Sequence, residues 1–143
     1  MLKENSVGKQ WLIDIHGYPD IPKEQSLDAL KGAAEAMGSE IVDSWCKEIP
    51  NERIAYLLIS ESHLSLHHYP KWEFKVGPED YKNGETKGEF KTVNAFLDMF
   101  ICGDKDLQKG LDYLQEKIGF NKYLICREIQ RGCSPLPTDS GDR

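Results

Sequence analysis

The stretch Tyr56-Leu57-Leu58-Ile59-Ser60-Glu61-Ser62-His63-Leu64-Ser65-Leu66-His67-His68-Tyr69-Pro70 decides how the chain is read. Arg53 to Ser60 is nearly continuously apolar and reads as a buried strand. His63 to His68 alternates Leu64 and Leu66 against Ser65 and His67, the period-two pattern of a strand. The two strands are almost contiguous, so Glu61-Ser62 falls at a strand junction. Set between an acid and a histidine, with two more histidines following, Ser62 is either a surface hydroxyl or a reacting group.

Working outward, Lys9 to His16 reads as an earlier strand, with Trp11, Ile13 and Ile15 on one face and Leu12, Asp14 and His16 on the other. Gly17-Tyr18-Pro19-Asp20 ends it. Ser26 is expected to cap a helix whose apolar stripe is Leu27, Leu30, Ala34 and Met37, with Gly38 as its stop. Glu40 to Cys46 reads as a strand and Pro50-Asn51 as the turn after it. Gly77 to Gly88, within a longer stretch from Lys75 to Thr92, reads as an exposed loop or a small excursion. Val93 to Ile101 is expected to be a strand with Phe96, Met99 and Phe100 in the core. Asp104 or Asp106 can cap a second helix with Leu107, Leu111, Leu114 and Ile118 as its stripe, and Gly119 ends it. Tyr123 to Ile129 is the last strand, and 132–143 is a fraying tail. Two amphipathic helices among these strands predict an α+β fold: a two-layer sandwich with a largely antiparallel sheet and both helices on one face. The other face then needs water, a ligand or a second subunit.

The 143 residues suit a single domain, with 39% hydrophobic and 29% charged residues. A net charge of −6 argues against nucleic-acid binding, which calls for clustered Lys and Arg, and is compatible with a cationic small molecule. Cys46, Cys102, Cys126 and Cys133 lack C-x-x-C spacing, so no zinc site is expected. Met1 to Ser6 has no apolar signal-like core, and no run approaches membrane-spanning length. The expectation is a cytoplasmic protein with reduced thiols and no membrane partner.

Three chemistries compete for the central stretch. Ser62 beside a histidine suggests a hydrolase nucleophile, but there is no G-x-S-x-G elbow. His63 and His67 point the same way on a strand, yet no third metal ligand is evident. Alternatively, the Ser62 hydroxyl attacks the carbonyl of Glu61. The amide becomes an ester, elimination leaves dehydroalanine, and hydrolysis leaves a pyruvoyl group. A nearby histidine would carry the protons.

Ile59-Ser60-Glu61-Ser62-His63-Leu64-Ser65-Leu66-His67, followed by Pro70, resembles the self-cleavage motif of the small prokaryotic S-adenosylmethionine decarboxylase proenzymes. Phe100-Ile101-Cys102-Gly103-Asp104 resembles their second motif, and Gly8-Lys9-Gln10-Trp11-Leu12-Ile13-Asp14 their opening strand. Tyr113-Leu114 and Arg131-Gly132 also fit, so the resemblance runs from about Gly8 to Gly132. It implies cleavage between Glu61 and Ser62, giving a β chain of 1–61 and an α chain of 62–143 that begins with a covalent pyruvoyl group made from Ser62. His67 matches the processing histidine, Cys102 the catalytic proton donor, and Asp14 an acidic position near the active site. The resemblance also implies a homodimer of processed αβ units with active sites at the interface, acting on a small, cationic, amine-bearing substrate.

The departures cluster. After His67 the family reads Thr-Trp-Pro-Glu, and this chain reads His68-Tyr69-Pro70-Lys71. Tyr69 can still stack on an adenine, but Lys71 cannot accept the ribose hydrogen bonds that the family's glutamate takes. A second stacking phenylalanine falls near Glu48 or Ile49, with Trp45 as a possible substitute. Ile54 stands where the family carries a serine that assists processing. Ser62 and Cys102 are 40 positions apart, longer than in the family, and 75–92 accounts for the excess. Ser62, His67 and Cys102 are all retained, so a changed substrate fits better than a dead enzyme. S-adenosylmethionine is the default substrate. L-ornithine or L-arginine is the alternative, with Glu48, Glu73 or a loop acid holding its distal cation. A non-processed regulatory relative is the other class.

Overall fold

The computed structural model describes residues 8–60, 62–79, 85–87 and 90–131. Glu61 of the expected cleavage bond, residues 80–84, 88 and 89 of the long stretch, and the tail 132–143 lie outside the described residues.

The chain runs β1 (Gly8–His16), α1 (Lys23–Ala36), β2 (Ile41–Ile49), β3 (Glu52–Ile59), β4 (Ser62–His68), β5 (Phe74–Lys75), β6 (Glu85–Lys87), β7 (Thr92–Val93), β8 (Ala95–Cys102), α2 (Leu107–Ile118) and β9 (Lys122–Arg131). Seven strands form one sheet in the order β2-β3-β4-β8-β1-β9-β6, with every neighbouring pair antiparallel. Helix α1 packs on α2 and on β2 and β3, so both helices cover one sheet face. This is the expected two-layer sandwich.

Alternation in the strands produces the layers. Ile13, Ile15, Ala55, Leu57, Ile59, Leu64, Leu66, Leu97, Met99 and Ile101 face the helices and are almost fully buried. They meet Leu27, Leu30, Ala33 and Ala34 of α1 and Leu107, Leu111 and Leu114 of α2. Each Leu or Ile buried this way contributes about 1.5–3 kcal/mol. Phe96 and Phe100, expected in the core, are out of phase with Leu97 and Met99 and project from the open face instead.

The helix ends follow local rules, with one correction. Ser26 is not the α1 cap; the helix begins at Lys23, after Pro22 (φ −61°) accepts the N–H of Gln25 at 3.0 Å. Proline's fixed φ sets this entry, and Ser26 is buried one turn later, its hydroxyl 2.7 Å from that of Tyr18. Asp106 caps α2 by accepting from the Gln108 N–H at 2.9 Å. Gly38 and Gly119 end the two helices in left-handed conformations, as expected.

The expected single strand from Val93 is broken at Asn94. The Asn94 side chain accepts from the Tyr18 N–H and donates to the Tyr18 carbonyl, both at 2.9 Å, which pulls that residue out of line. Thr92–Val93 pairs with β5, and Ala95 onward joins the main sheet. Within the long stretch Glu85–Lys87 adds a short strand beside β9, in line with the alternative of a small excursion, and residues on either side of 77–88 pack against the sheet. Phe74, Val76, Phe90 and Val93 pack with Phe96 and Leu124, covering part of the open face beside β9.

Among the buried polar residues His68 lies deepest. His68 is 1% exposed, lies 4.5 Å from the Tyr18 ring, and neither ring nitrogen has a hydrogen-bond partner. Burial, with help from the positive charge of Arg53, pushes its pKa down to about 4. The unfolded chain takes a proton near pH 6.5, which the folded chain refuses until about pH 4. Stability is therefore lost as pH falls through that window and is level above it. Between pH 7 and pH 5 the loss assigned to His68 is about 2 kcal/mol. Chemical denaturation at both pH values should show His68→Leu losing less stability than the parent chain by about that amount; equal losses would remove His68 from the account.

Candidate active site

The pleat of β4 sorts the candidate residues. Ser62, Leu64, Leu66 and His68 face the helices, while His63, Ser65 and His67 lie on the open face. The register then builds rows across that face. One row runs Asp14, Phe96, His67, Ile54, and the next Leu12, Asp98, Ser65, Tyr56, Trp45. A third runs Gln10, Phe100, His63, Leu58.

Within one chain, Ser62 and His67 do not meet. They point to opposite faces and are separated by five residues of strand, about 16 Å. Ser62 is 7% exposed, and its hydroxyl donates to the Ser60 carbonyl at 3.2 Å. It is the first residue after a two-residue connection, since Ile59 pairs with Ser62. Cys102 closes β8 at this same end. His63 pairs with Phe100, so Cys102 lies one step beyond the rung of Ser62 and shares the face of Phe100. Gly8 pairs with Cys102, and a Cβ there would lie 2.3 Å from the Ile101 carbonyl oxygen. Only glycine lets β1 approach β8 this closely beside Cys102.

His67 sits at the other end with Asp14, Tyr69 and Glu52. Its Nδ1 donates to the Glu52 carboxylate, which only accepts. Tyr69 is edge-on to Phe74 (5.0 Å, 79°) and to Phe96 (5.9 Å, 78°). Burial, with a hydrogen bond to Glu52, raises its pKa, so the hydroxyl stays protonated. Glu73 is exposed in the connection between Trp72 and Phe74.

Some of the positions that depart from the resembling motif converge. Glu48, Ile49 and Lys71 line one cleft of about 120 Å³ with Asn51, Glu52, Arg53 and Pro70. Arg53 spans its wall, pairing with Asp20, lying 3.6 Å from Glu48 and donating to the Ile21 carbonyl at 3.0 Å. Trp45 stacks on Tyr56 at 5.6 Å instead of lining this cleft.

Sequence spacing did not reveal a second polar group at the centre of the open face. Asp98 accepts from Gln10 Nε2 at 2.8 Å and lies 3.5 Å from His63 Nε2. Arg131 donates to Gln10 Oε1 at 3.1 Å and its guanidinium sits 5.4 Å from the Phe100 ring centroid. Burial pushes the Asp98 pKa up, but the hydrogen bonds from His63 and Gln10 outweigh it and leave the carboxyl below its usual range. These partners come from four strands, and only register brings them together. Glu52 was missed for the same reason: nothing local in the sequence ties it to a histidine fifteen residues later.

Among the described residues no three His, Cys, Asp or Glu side chains converge to hold a metal ion. No described helix is long and apolar enough to cross a membrane.

No family model matches the chain. Three curated proteins do, each an S-adenosylmethionine decarboxylase proenzyme. The protein from Brevibacillus brevis is 30% identical over 106 residues, which span 73% of this chain and 64% of that protein. The one from Clostridium tetani is 25% identical over 138 residues, 93% of both chains. The one from Carboxydothermus hydrogenoformans is 26% identical over 135 residues, 90% of this chain and 88% of that one. In fold, the chain matches the crystal structure of an adenosylmethionine decarboxylase from Aquifex aeolicus VF5 with a TM-score of 0.62 and 16% identity, over 94% of this chain and 98% of that one. The chain is thus similar, along most of its length, to S-adenosylmethionine decarboxylase proenzymes, and it shares the fold of the Aquifex structure.

Proposed function

We propose that the chain is a self-processing, pyruvoyl-dependent decarboxylase of polyamine synthesis, with S-adenosylmethionine as its substrate. The observation that carries this reading is the position of Ser62, the first paired residue after the two-residue connection between β3 and β4. A bond at such a tip can be cut while both strands stay in the sheet. The Ser62 hydroxyl fits as the precursor of the cofactor, because it is bonded back toward the upstream backbone and is shielded from bulk water. When formed, the pyruvoyl group supplies the electron sink for loss of CO₂. The chain's own residues supply the rest: Cys102 donates a proton to the substrate α-carbon, and His67 carries protons in processing. Asp14 and Tyr69 flank His67 on the substrate side.

Ser62 and Cys102 lie at one end of the sheet and His67 at the other, which supports a working unit of two copies. Stacking two open faces with strands running oppositely sets the His67 end of one copy over the Cys102 end of the other. Trp45 and Leu58, 47% and 39% exposed on that face, supply apolar surface for such a homodimer. No disulfide joins Cys46, Cys102 and Cys126.

A second substrate reading has its own support. The cleft beside His67 is lined by Glu48, Glu52, Arg53 and Lys71 and by no aromatic ring. That lining suits a small amino acid with a distal cation, such as ornithine or arginine, better than a nucleoside.

Intact-mass measurement of the expressed chain should give two fragments, divided between Glu61 and Ser62, and Ser62→Ala should stay whole. A single uncut chain in every condition would sink the enzyme reading and favour a regulatory relative. Cys102→Ala should still cleave but release CO₂ roughly 100-fold more slowly; unchanged turnover would remove Cys102 as proton donor. CO₂ release from S-adenosylmethionine, ornithine and arginine, assayed side by side, decides the substrate. Release from either amino acid alone would overturn the nucleoside reading.

A further inference from the structure

His67 lacks the neighbour expected of it. Ile54, directly across from His67 on β3, carries no hydroxyl, so the serine that assists processing in the resembling family has no counterpart at that rung. The next residue on the same face of β3 is Glu52. The Pro50-Asn51 turn fixes its position: Ile49 pairs with Glu52 across it, and Asn51 takes φ +70°, as the third residue of a type II turn requires. The turn delivers the carboxylate diagonally onto the imidazole.

Glu52 is held there from two sides. It accepts from His67 Nδ1 and is hydrogen-bonded by the Tyr69 hydroxyl, whose raised pKa keeps it a donor. The Glu52 side chain is 14% exposed and that of His67 41%. The acid is thus the sheltered member of the pair, and the imidazole the accessible one. A carboxylate on Nδ1 stabilises the tautomer with its proton there and leaves the Nε2 lone pair available. With Nδ1 committed to the sheet, Nε2 is the nitrogen left for chemistry on the open face.

We propose that Glu52 is the positioning residue for His67: with Tyr69 behind it, its carboxylate fixes the Nδ1-protonated imidazole and presents Nε2 to the open sheet face as the proton acceptor. The inference rests on the reading of His67 as the processing histidine. Glu52 touches no reacting atom; it acts through the imidazole. It supplies in this chain a polar partner that Ile54 cannot. The proton that Nε2 takes from a hydroxyl leaves a full imidazolium, whose charge the Glu52 carboxylate offsets. The same proton is returned later, so the ring is unchanged over the cycle.

The test pairs a spectroscopic signature with a rate. Two-dimensional ¹⁵N–¹H spectra of the uncut Ser62→Ala chain report the His67 tautomer directly. The expected result is a pyrrole-type Nδ1 and a pyridine-type Nε2 above the ring's titration. In the Ser62→Ala, Glu52→Gln chain the tautomers should become mixed, and Glu52→Asp should restore part of the preference. With Ser62 intact, Glu52→Gln should slow the appearance of the two fragments on the order of 10-fold or more, and Glu52→Asp should recover part of that loss. An unaltered tautomer in Glu52→Gln overturns the proposal, whatever the rate. So does a cleavage rate equal to that of the parent chain. If the parent chain never cleaves, the processing reading fails instead, and the tautomer spectra still decide what Glu52 does to His67.

Discussion

The pleat of β4 separates Ser62 from His67. Five residues of strand is an odd number, so the two side chains must take opposite faces, and five residues is also most of the strand's length. A loop could bend the two together, but a strand paired on both sides by β3 and β8 cannot. The chemistry suggested by the sequence therefore has to be assembled from two places on the sheet. Leu64 and Leu66 on the helix-facing side of β4 hold the fold, and the open-face residues are left to meet something else. This division follows from Leu64 and Leu66, whose burial fixes the register. A one-residue slip would expose both leucines and bury His63, Ser65 and His67 in their place.

The fold was legible in the sequence wherever apolar periodicity and end signals agreed. The stripe Leu107, Leu111 and Leu114 between Asp106 and Gly119 reads as a capped helix and is one. Where two cues compete, sequence reasoning slipped. Ser26 is a good capping residue, but Pro22 fixes the backbone four residues earlier and wins. Phe96 and Phe100 are large and apolar, yet their parity with Asp98 commits them to the open face. Asn94 gave no sign that it would grip the backbone of Tyr18, a residue distant in sequence.

The site was legible in its chemistry and much less so in its geometry. The Glu61-Ser62-His63 and Phe100–Asp104 motifs are local strings, and a reader can weigh them without a structure. The partners of His67 and Asp98 are not local. Glu52 meets His67 only through the β3–β4 hairpin, while Gln10 and His63 reach Asp98 from two other strands and Arg131 reaches Gln10 from a third. Substrate identity was harder still. Glu48, Ile49 and Lys71 look like separate departures along the chain, yet they share one cleft wall. Arg53 already engages Asp20 and Glu48, so its charge is partly spent within the protein and is a poor guide to the ligand.

The open face carries ionisable groups, which would ordinarily weigh against burying it under a second copy. A buried charge without a partner costs several kcal/mol. Here the cost is largely met within the chain. Asp98 has Gln10 and His63 around it, Arg131 has Gln10 and the Phe100 ring, and His67 has Glu52. Trp45, Tyr56 and His63 stack in sequence at 5.6 and 5.8 Å, forming a flat aromatic surface beside these polar groups. A face whose charges are internally satisfied and whose rings lie flat can lose its water at modest cost. The polar groups then set which relative orientation of two copies is acceptable, because a shifted partner would press apolar surface onto Asp98. In this fold the residues that neutralise the sheet face lie beside or between the residues proposed to do chemistry on it, so one stacking geometry would serve both.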